Sequence, residues 1–344
     1  MAEPTHDAHA SARATLRCRN CGAGNRVPVA RALRDLQAVR CGRCNLALLR
    51  VHGERLDGLR NEDFAHPWDR EALDKLRALP MADKALSKVM GGTLDKVARF
   101  RHLAGAVRID ARQLPSLHAL YQHAAHRLDM DAPPLYLVQS PQLNAAASGA
   151  GEPFVTVTSA LVDALDDREL VSVFGHELAH VRLGHTLYRT LAQLIVHGGL
   201  GVVDRLFGVA GLLATPIKVA LMRWYQMSEL SADRGGLLAV GDLDTHLRCE
   251  LKVTGGVTRF GHELSVAAFV DQARDADAAR ESDTLLQAME LMDGNERSHP
   301  LPAWRVHQTL LWAGEGAFLQ VLAGANVQRL GREGENDGPI EAPR

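Results

Sequence analysis

Nowhere in its 344 residues does this chain carry the about 20 consecutive apolar residues that a bilayer-spanning helix needs. Thr190–Val203 and Leu206–Ile217 come nearest, but Asp204 and Arg205 separate them and both contain glycine. No secretory pattern opens the sequence, because Met1–Ala14 is polar; a reducing, cytoplasmic setting is expected, with membrane association as its alternative. Internal repeats and long low-complexity segments are also missing. No aromatic residue falls among the nine arginines between Arg13 and Arg50, so that stretch lacks a stacking platform and nucleic acid is not the expected partner. Its charge of +8, relieved only by Asp35 in a chain of −2, fits a module that docks on a protein partner.

Cysteine is scarce, yet four of the five are paired in sequence. Cys18 and Cys21 form one C-x2-C, Cys41 and Cys44 a second, and nineteen residues separate the two. Such spacing is that of a zinc ribbon. Gly22 and Gly42 sit where tight knuckle turns aim backbone amides at the sulfurs. Four thiolates close a tetrahedral site, so this zinc is expected to be structural. Cys249 has no evident partner and reads as a buried thiol.

The chemistry-bearing stretch is His176-Glu177-Leu178-Ala179-His180. Histidines four residues apart project from one face of a helix and can grip one ion. Glu177 stands one step round, beside the ion rather than on it, where a carboxylate can take a proton from an attacking water. Asp166 and Asp167, followed by an apolar periodicity through Leu170, Phe174, Leu178 and Val181, predict the helix and its start.

A catalytic zinc needs a third protein ligand and an open vertex. The extended HExxHxxGxxH pattern fails here, with Leu183 and Thr186 at its glycine and histidine positions. Glu229 and Asp233, four apart on a helix expected from about Lys218 to Val240, supply the alternative: Glu229 as ligand and Asp233 as partner to a ligating imidazole. Glu250 and Glu263 are weaker candidates. His262-Glu263-Leu264 repeats the start of the motif, but Val266 occupies the place of its second histidine.

HELAH, followed about fifty residues later by Glu229-Leu230-Ser231-Ala232-Asp233, resembles the gluzincin zinc metallopeptidases of the HtpX and CAAX prenyl protease type. Asn144-Ala145-Ala146-Ala147-Ser148-Gly149 and Ser298-His299-Pro300 extend the resemblance over roughly residues 65–325. It implies that the strand after the Asn-Ala motif edges the cleft. Pro153–Thr158 reads as that strand, making Asn144, Val155 and Val157 candidate substrate contacts. It further implies that His299 lies near the metal as a donor to the tetrahedral oxyanion. Many relatives carry a membrane hairpin between the zinc motifs; here residues 190–224 are expected to pack against the protein or a second subunit, with peripheral membrane contact as the alternative.

The resulting expectation is a mainly helical α+β chain. It comprises a tail at 1–14, a zinc ribbon at 15–51, a linker at 52–80 that becomes helical, a metallopeptidase domain at 81–327 with a small edge sheet, and a tail at 328–344. Amphipathic helices are expected at Leu86–Phe100 and Leu117–Leu128. Two zinc ions are expected, one catalytic and one structural. The function read from this is zinc-dependent endopeptidase acting on protein or peptide. A catalytically silent scaffold recruited through the ribbon is the rival, and the oligomeric state is left open.

Overall fold

The computed structural model describes residues 12–51, 53–78, 100–149, 151–190, 192, 215–256, 259–282 and 301–324. The expected helix at Leu86–Phe100, His299 and most of 190–214 therefore lie outside the described residues, as do nearly all of both expected tails. Two compact units are present, Phe64–Leu311 and Met1–Asp63 together with Trp312–Arg344. Trp312–Gly324, expected in the peptidase domain, group instead with the ribbon, through a contact of Ala317–Leu322 on Arg13–Arg17 that spans most of the chain and has no local signal.

In the smaller unit, β1 (Arg13–Arg17) and β2 (Gly24–Pro28) form an antiparallel hairpin with Thr15 opposite Arg26. Alternation turns Ala14 and Leu16 inward and leaves Arg13, Thr15 and Arg17 exposed. Helix α1 (Val29–Arg34) buries Val29 and Ala32. The C-terminal helix Ala317–Leu322 packs on β1. It is entered through Gly316 at φ 86°, where a Cβ would come within 3.0 Å of Ala14 and Val29. Short helix α2 (Asn61–Phe64) ends at the boundary between the units.

The larger unit begins with α3 (Pro67–Arg77), so the segment expected as a linker becoming helical contributes an element of this unit. A four-stranded sheet follows in the order β3-β4-β6-β5, built from Val107–Ile109, Leu135–Val138, Phe154–Thr158 and, for β5, Ala145–Ser148. Helix α4 (Pro115–Arg127) connects β3 to β4. Strand β6 pairs parallel with β4 and antiparallel with β5.

That topology corrects one expectation. The strand read at Pro153–Thr158 exists as β6, but it is interior to the sheet rather than at its edge. Val155 and Val157 are fully buried and cannot meet a substrate. The β-branched residues that mark the strand are the ones that fill a two-sided interior position. The alanine run of β5, with a weak strand signal of its own, takes the edge.

After α5 (Ser159–Ala164) comes α6 (Asp167–Arg182), which carries the HELAH motif. Its start is a capping box: the Asp166 carboxylate accepts from the Glu169 amide at 2.9 Å, and the Glu169 carboxylate from the Asp166 amide at 2.9 Å. Glu169 is buried and also accepts from Arg248 Nε at 2.9 Å and Lys252 Nζ at 2.7 Å. Both donors lie on α8 (Leu243–Gly255), so one carboxylate caps α6 and ties α8 to it.

Helix α7 (Thr215–Val240) lies against α6 at a distance that only small residues permit. A Cβ on Gly175 would stand 2.2 Å from the Ala239 Cβ, and one on Gly235 2.3 Å from the Ala179 Cβ. Any larger residue at Gly175 or Gly235 forces the backbones apart. This contact sets the register that brings Glu229 opposite the two histidines. Helix α9 (Val266–Ser282) and α10 (Pro302–Gly314) as far as Leu311 complete the unit, with Leu247, Leu251, Phe269 and Val306 forming one packed cluster. Trp304 of α10 stacks on Trp68 of α3 at 5.8 Å. Among the described residues no helix is long and apolar enough to cross a membrane.

Candidate metal centre and active site

One turn of α6 and one of α7 place three donor side chains in a small triangle. Nε2 of His176 and Nε2 of His180 lie 3.3 Å apart. Glu229 Oε2 is 3.5 Å from the first, and Glu229 Oε1 is 3.4 Å from the second. A tetrahedral zinc with bonds of about 2.0–2.1 Å sets its ligand atoms about 3.3–3.4 Å apart. Two imidazoles and a carboxylate at these separations fit that ion and leave one vertex for a reactant. Neither Glu250 nor Glu263 belongs to the cluster. Glu250 lies beside Arg305, and Glu263 is exposed next to His262.

Charge and burial act differently on the two imidazoles. Burial alone would strip His176 of its proton, but its hydrogen bonds to Asp233 and Glu229 outweigh this and raise its pKa to about 10. His180, fully buried, is driven the other way by burial and by the nearby Arg189 charge.

Each ligand is held from behind. Asp233 Oδ1 lies 3.0 Å from His176 Nδ1; a carboxylate only accepts, so Nδ1 carries a proton, and Nε2 is the nitrogen that would give up its own to meet an ion. Arg305 of α10 grips both oxygens of Asp233, through Nε at 2.9 Å and through a closer contact from its second nitrogen. Burial opposes the Asp233 charge, but Arg305 and His176 hold its carboxyl well below the usual carboxylate range. Arg189, buried and stacked 4.7 Å over the Tyr225 ring, donates to Glu229 Oε1. His180 Nδ1 meets His185 Nδ1 at 3.0 Å.

Glu177 does not join the triangle. Its Oε1 stands 3.9 Å from His176 Nε2, while Oε2 accepts from the Ala147 amide on β5 at 2.6 Å. The sheet edge therefore holds this carboxylate beside the triangle. A cavity of about 190 Å³ opens beside it, floored by Leu161, Val173 and Val253 and reaching Asn144 and Arg305. Asn144 is tied to β6, its amide donating to Thr158 Oγ1 at 3.1 Å. Cys249 also lines the cavity; burial pushes its thiol up, and its Sγ donates to the Glu169 carbonyl at 3.6 Å.

Arg189, Arg305 and His185 escape a reading of sequence because none stands at motif spacing. His185 follows His180 by five residues, after the turn at Gly184 (φ 73°), which breaks helical periodicity. Arg305 is more than seventy residues from the carboxylate it holds.

The smaller unit holds a second donor set. Cys18 and Cys44 sulfurs are 3.5 Å apart and those of Cys21 and Cys41 3.6 Å; all four lie within 4.8 Å of one another. Tetrahedral zinc–thiolate bonds of about 2.3 Å require about 3.8 Å, so the knuckles fit zinc with little adjustment. Amides of Cys44 and Arg43 aim at the Cys41 sulfur and lower its pKa to about 6. Asn25 Oδ1 accepts from the Gly42 amide at 2.9 Å, pinning the second knuckle to β2.

Comparison with known proteins agrees with this geometry. A family model described as Peptidase family M48 matches residues 111–312. "Plastoglobule-localized metallopeptidase 48, chloroplastic" of Arabidopsis thaliana is 32% identical over 268 residues, covering 77% of this chain and 76% of that protein. "Protease HtpX homolog" of Aquifex aeolicus is 38% identical over 28% of this chain and 32% of its own length. That of Moorella thermoacetica is 30% identical over 45% and 60%. The chain thus spans less than two thirds of either HtpX homolog. No solved structure matches. With the donor triangle, the carboxylate beside it and these relatives in agreement, the chain belongs to Peptidase family M48, the zinc metallopeptidases.

Proposed function

We propose that the chain is a zinc-dependent endopeptidase, with His176, His180 and Glu229 holding the catalytic ion, Glu177 as general base, and the four ribbon cysteines holding a structural one. The single observation that carries this is the juxtaposition of the Glu177 carboxylate with a three-donor triangle that leaves a vertex open. When bound, zinc supplies Lewis acidity that acidifies water towards neutral pH and polarises a peptide carbonyl. Glu177 Oε1 takes the proton of the attacking water and returns it to the departing amine nitrogen. The Ala147 amide keeps that carboxylate in place between the two transfers.

Substrate is held along β5 rather than β6. Ala147 spends its amide on Glu177 on the side away from β6, and by the alternation of a strand Ala145 presents its N–H and C=O on that same side. An extended peptide adds there as a further strand, with a side chain entering the 190 Å³ cavity past Asn144. A strand-shaped site open along one edge suits internal peptide bonds, which supports the endopeptidase reading. His299 as a donor to the oxyanion remains part of the proposal, on the strength of the Ser298-His299-Pro300 motif alone.

The test is metal removal from the full-length chain. Incubation with a chelator is expected to abolish cleavage of a casein-type substrate, and stoichiometric Zn²⁺ to restore it. Cleavage that persists in metal-free protein would remove the reading.

A further inference from the structure

The two histidine ligands are supported in different ways. His176 leans directly on a carboxylate, whereas His180 leans on another imidazole. His180 Nδ1 and His185 Nδ1 are 3.0 Å apart, and His185 Nε2 is 3.1 Å from Asp69 Oδ2. Ser231 Oγ donates to the same Asp69 oxygen at 2.6 Å and accepts from the His66 amide at 2.8 Å. His185 and Asp69 are each about 2% exposed, and His180 and Ser231 are fully buried, so the chain of contacts is sealed from water. The His185 ring also stands edge-on to Trp224 at 5.5 Å, which fixes its plane.

We infer that Asp69 is a positioning residue for the catalytic zinc, acting through His185 to fix which nitrogen of His180 carries the proton. An ionised carboxylate accepts and never donates, so the His185 nitrogen facing Asp69 must be Nε2–H. A neutral imidazole has one N–H, so His185 Nδ1 is then an acceptor. Of two facing Nδ1 atoms one must donate, and the donor is therefore His180. With Nδ1 protonated, His180 Nε2 is left bare, and Nε2 is the atom in the donor triangle. One carboxylate thereby sets two tautomers in series.

Asp69 stands on α3, upstream of residues 111–312 that match the family. The site thus draws on a segment outside the region that matches the family. The inference rests on the proposed catalytic zinc, and its test separates the two. Zinc affinity is measured by competition with a chromophoric chelator on the full-length chain, alongside thermal melting. Asp69→Ala and His185→Leu each break the directional chain. Asp69→Asn keeps an acceptor oxygen, and His185→Gln keeps an acceptor towards His180 and a donor towards Asp69. The first pair is expected to weaken the catalytic zinc about 10–100-fold, the usual worth of such outer hydrogen-bond partners. The second pair is expected to stay within severalfold of wild type.

Equal affinity in all four variants, or equal loss in all four, overturns the inference. Histidine ¹⁵N spectra of the wild-type protein provide an independent readout, with His185 as the Nε2–H tautomer and His180 as Nδ1–H; the opposite tautomer at His185 overturns it as well. If His176→Ala leaves the zinc content unchanged, the catalytic reading itself fails instead.

Discussion

Replacing Glu177 by Gln is expected to lower turnover by at least the about 10²–10⁴-fold that a positioned acid–base group contributes, with both zinc ions retained. Gln has nearly the shape of Glu, and its amide oxygen can still accept from the Ala147 N–H that Glu177 Oε2 accepts at 2.6 Å. What it loses is the ability to take a proton. Because Glu177 lies outside the donor triangle, metal content and melting temperature should hardly move. Loss of zinc along with activity would place Glu177 among the ligands. Turnover close to wild type would remove it from the proton transfers.

Glu229→Gln is expected to have a different signature: loss of the catalytic zinc together with a loss of stability. Glu229 is fully buried and faces Arg189, itself buried. Removing one partner of a buried ion pair leaves the other charge uncompensated, at a cost of about 3–5 kcal/mol. The double variant Arg189→Met with Glu229→Gln removes both charges and should recover most of the melting temperature without recovering the metal. Calorimetry with metal analysis on the single and double variants separates the two roles. A double variant that binds zinc normally would show that Glu229 is no ligand.

Much of this site is legible in the sequence because it is helical. Ligand pairs at i,i+4 on α6 and the Glu229–Asp233 pair on α7 follow from 3.6 residues per turn, and the paired cysteines declare their knuckles. The start of α6 is equally local, since Asp166 and Glu169 cap it within four residues. What the sequence does not display are the partners set by packing. Arg305 and Asp69 come from elements whose closeness depends on how α3 and α10 pack around α7, and Arg189 lies beyond the turn at Gly184 that ends the periodicity of α6. The sheet order is hidden for the same reason: alternation at Phe154–Thr158 reveals a strand but not its number of neighbours, and Ala145–Ser148 hardly signals a strand at all. Glycines 175 and 235 would have read as weak points in helices; the structure makes them the contact that lets those helices meet.

The most direct measurement is X-ray absorption at the zinc edge of the untreated full-length protein. Half of the averaged first shell should be sulfur at about 2.3 Å and half nitrogen or oxygen at about 2.0–2.1 Å, because a four-thiolate ion and an imidazole–carboxylate ion contribute equally. A shell made of sulfur alone would mean that no ion sits between the paired imidazoles, and the proposal of hydrolysis would fall with it.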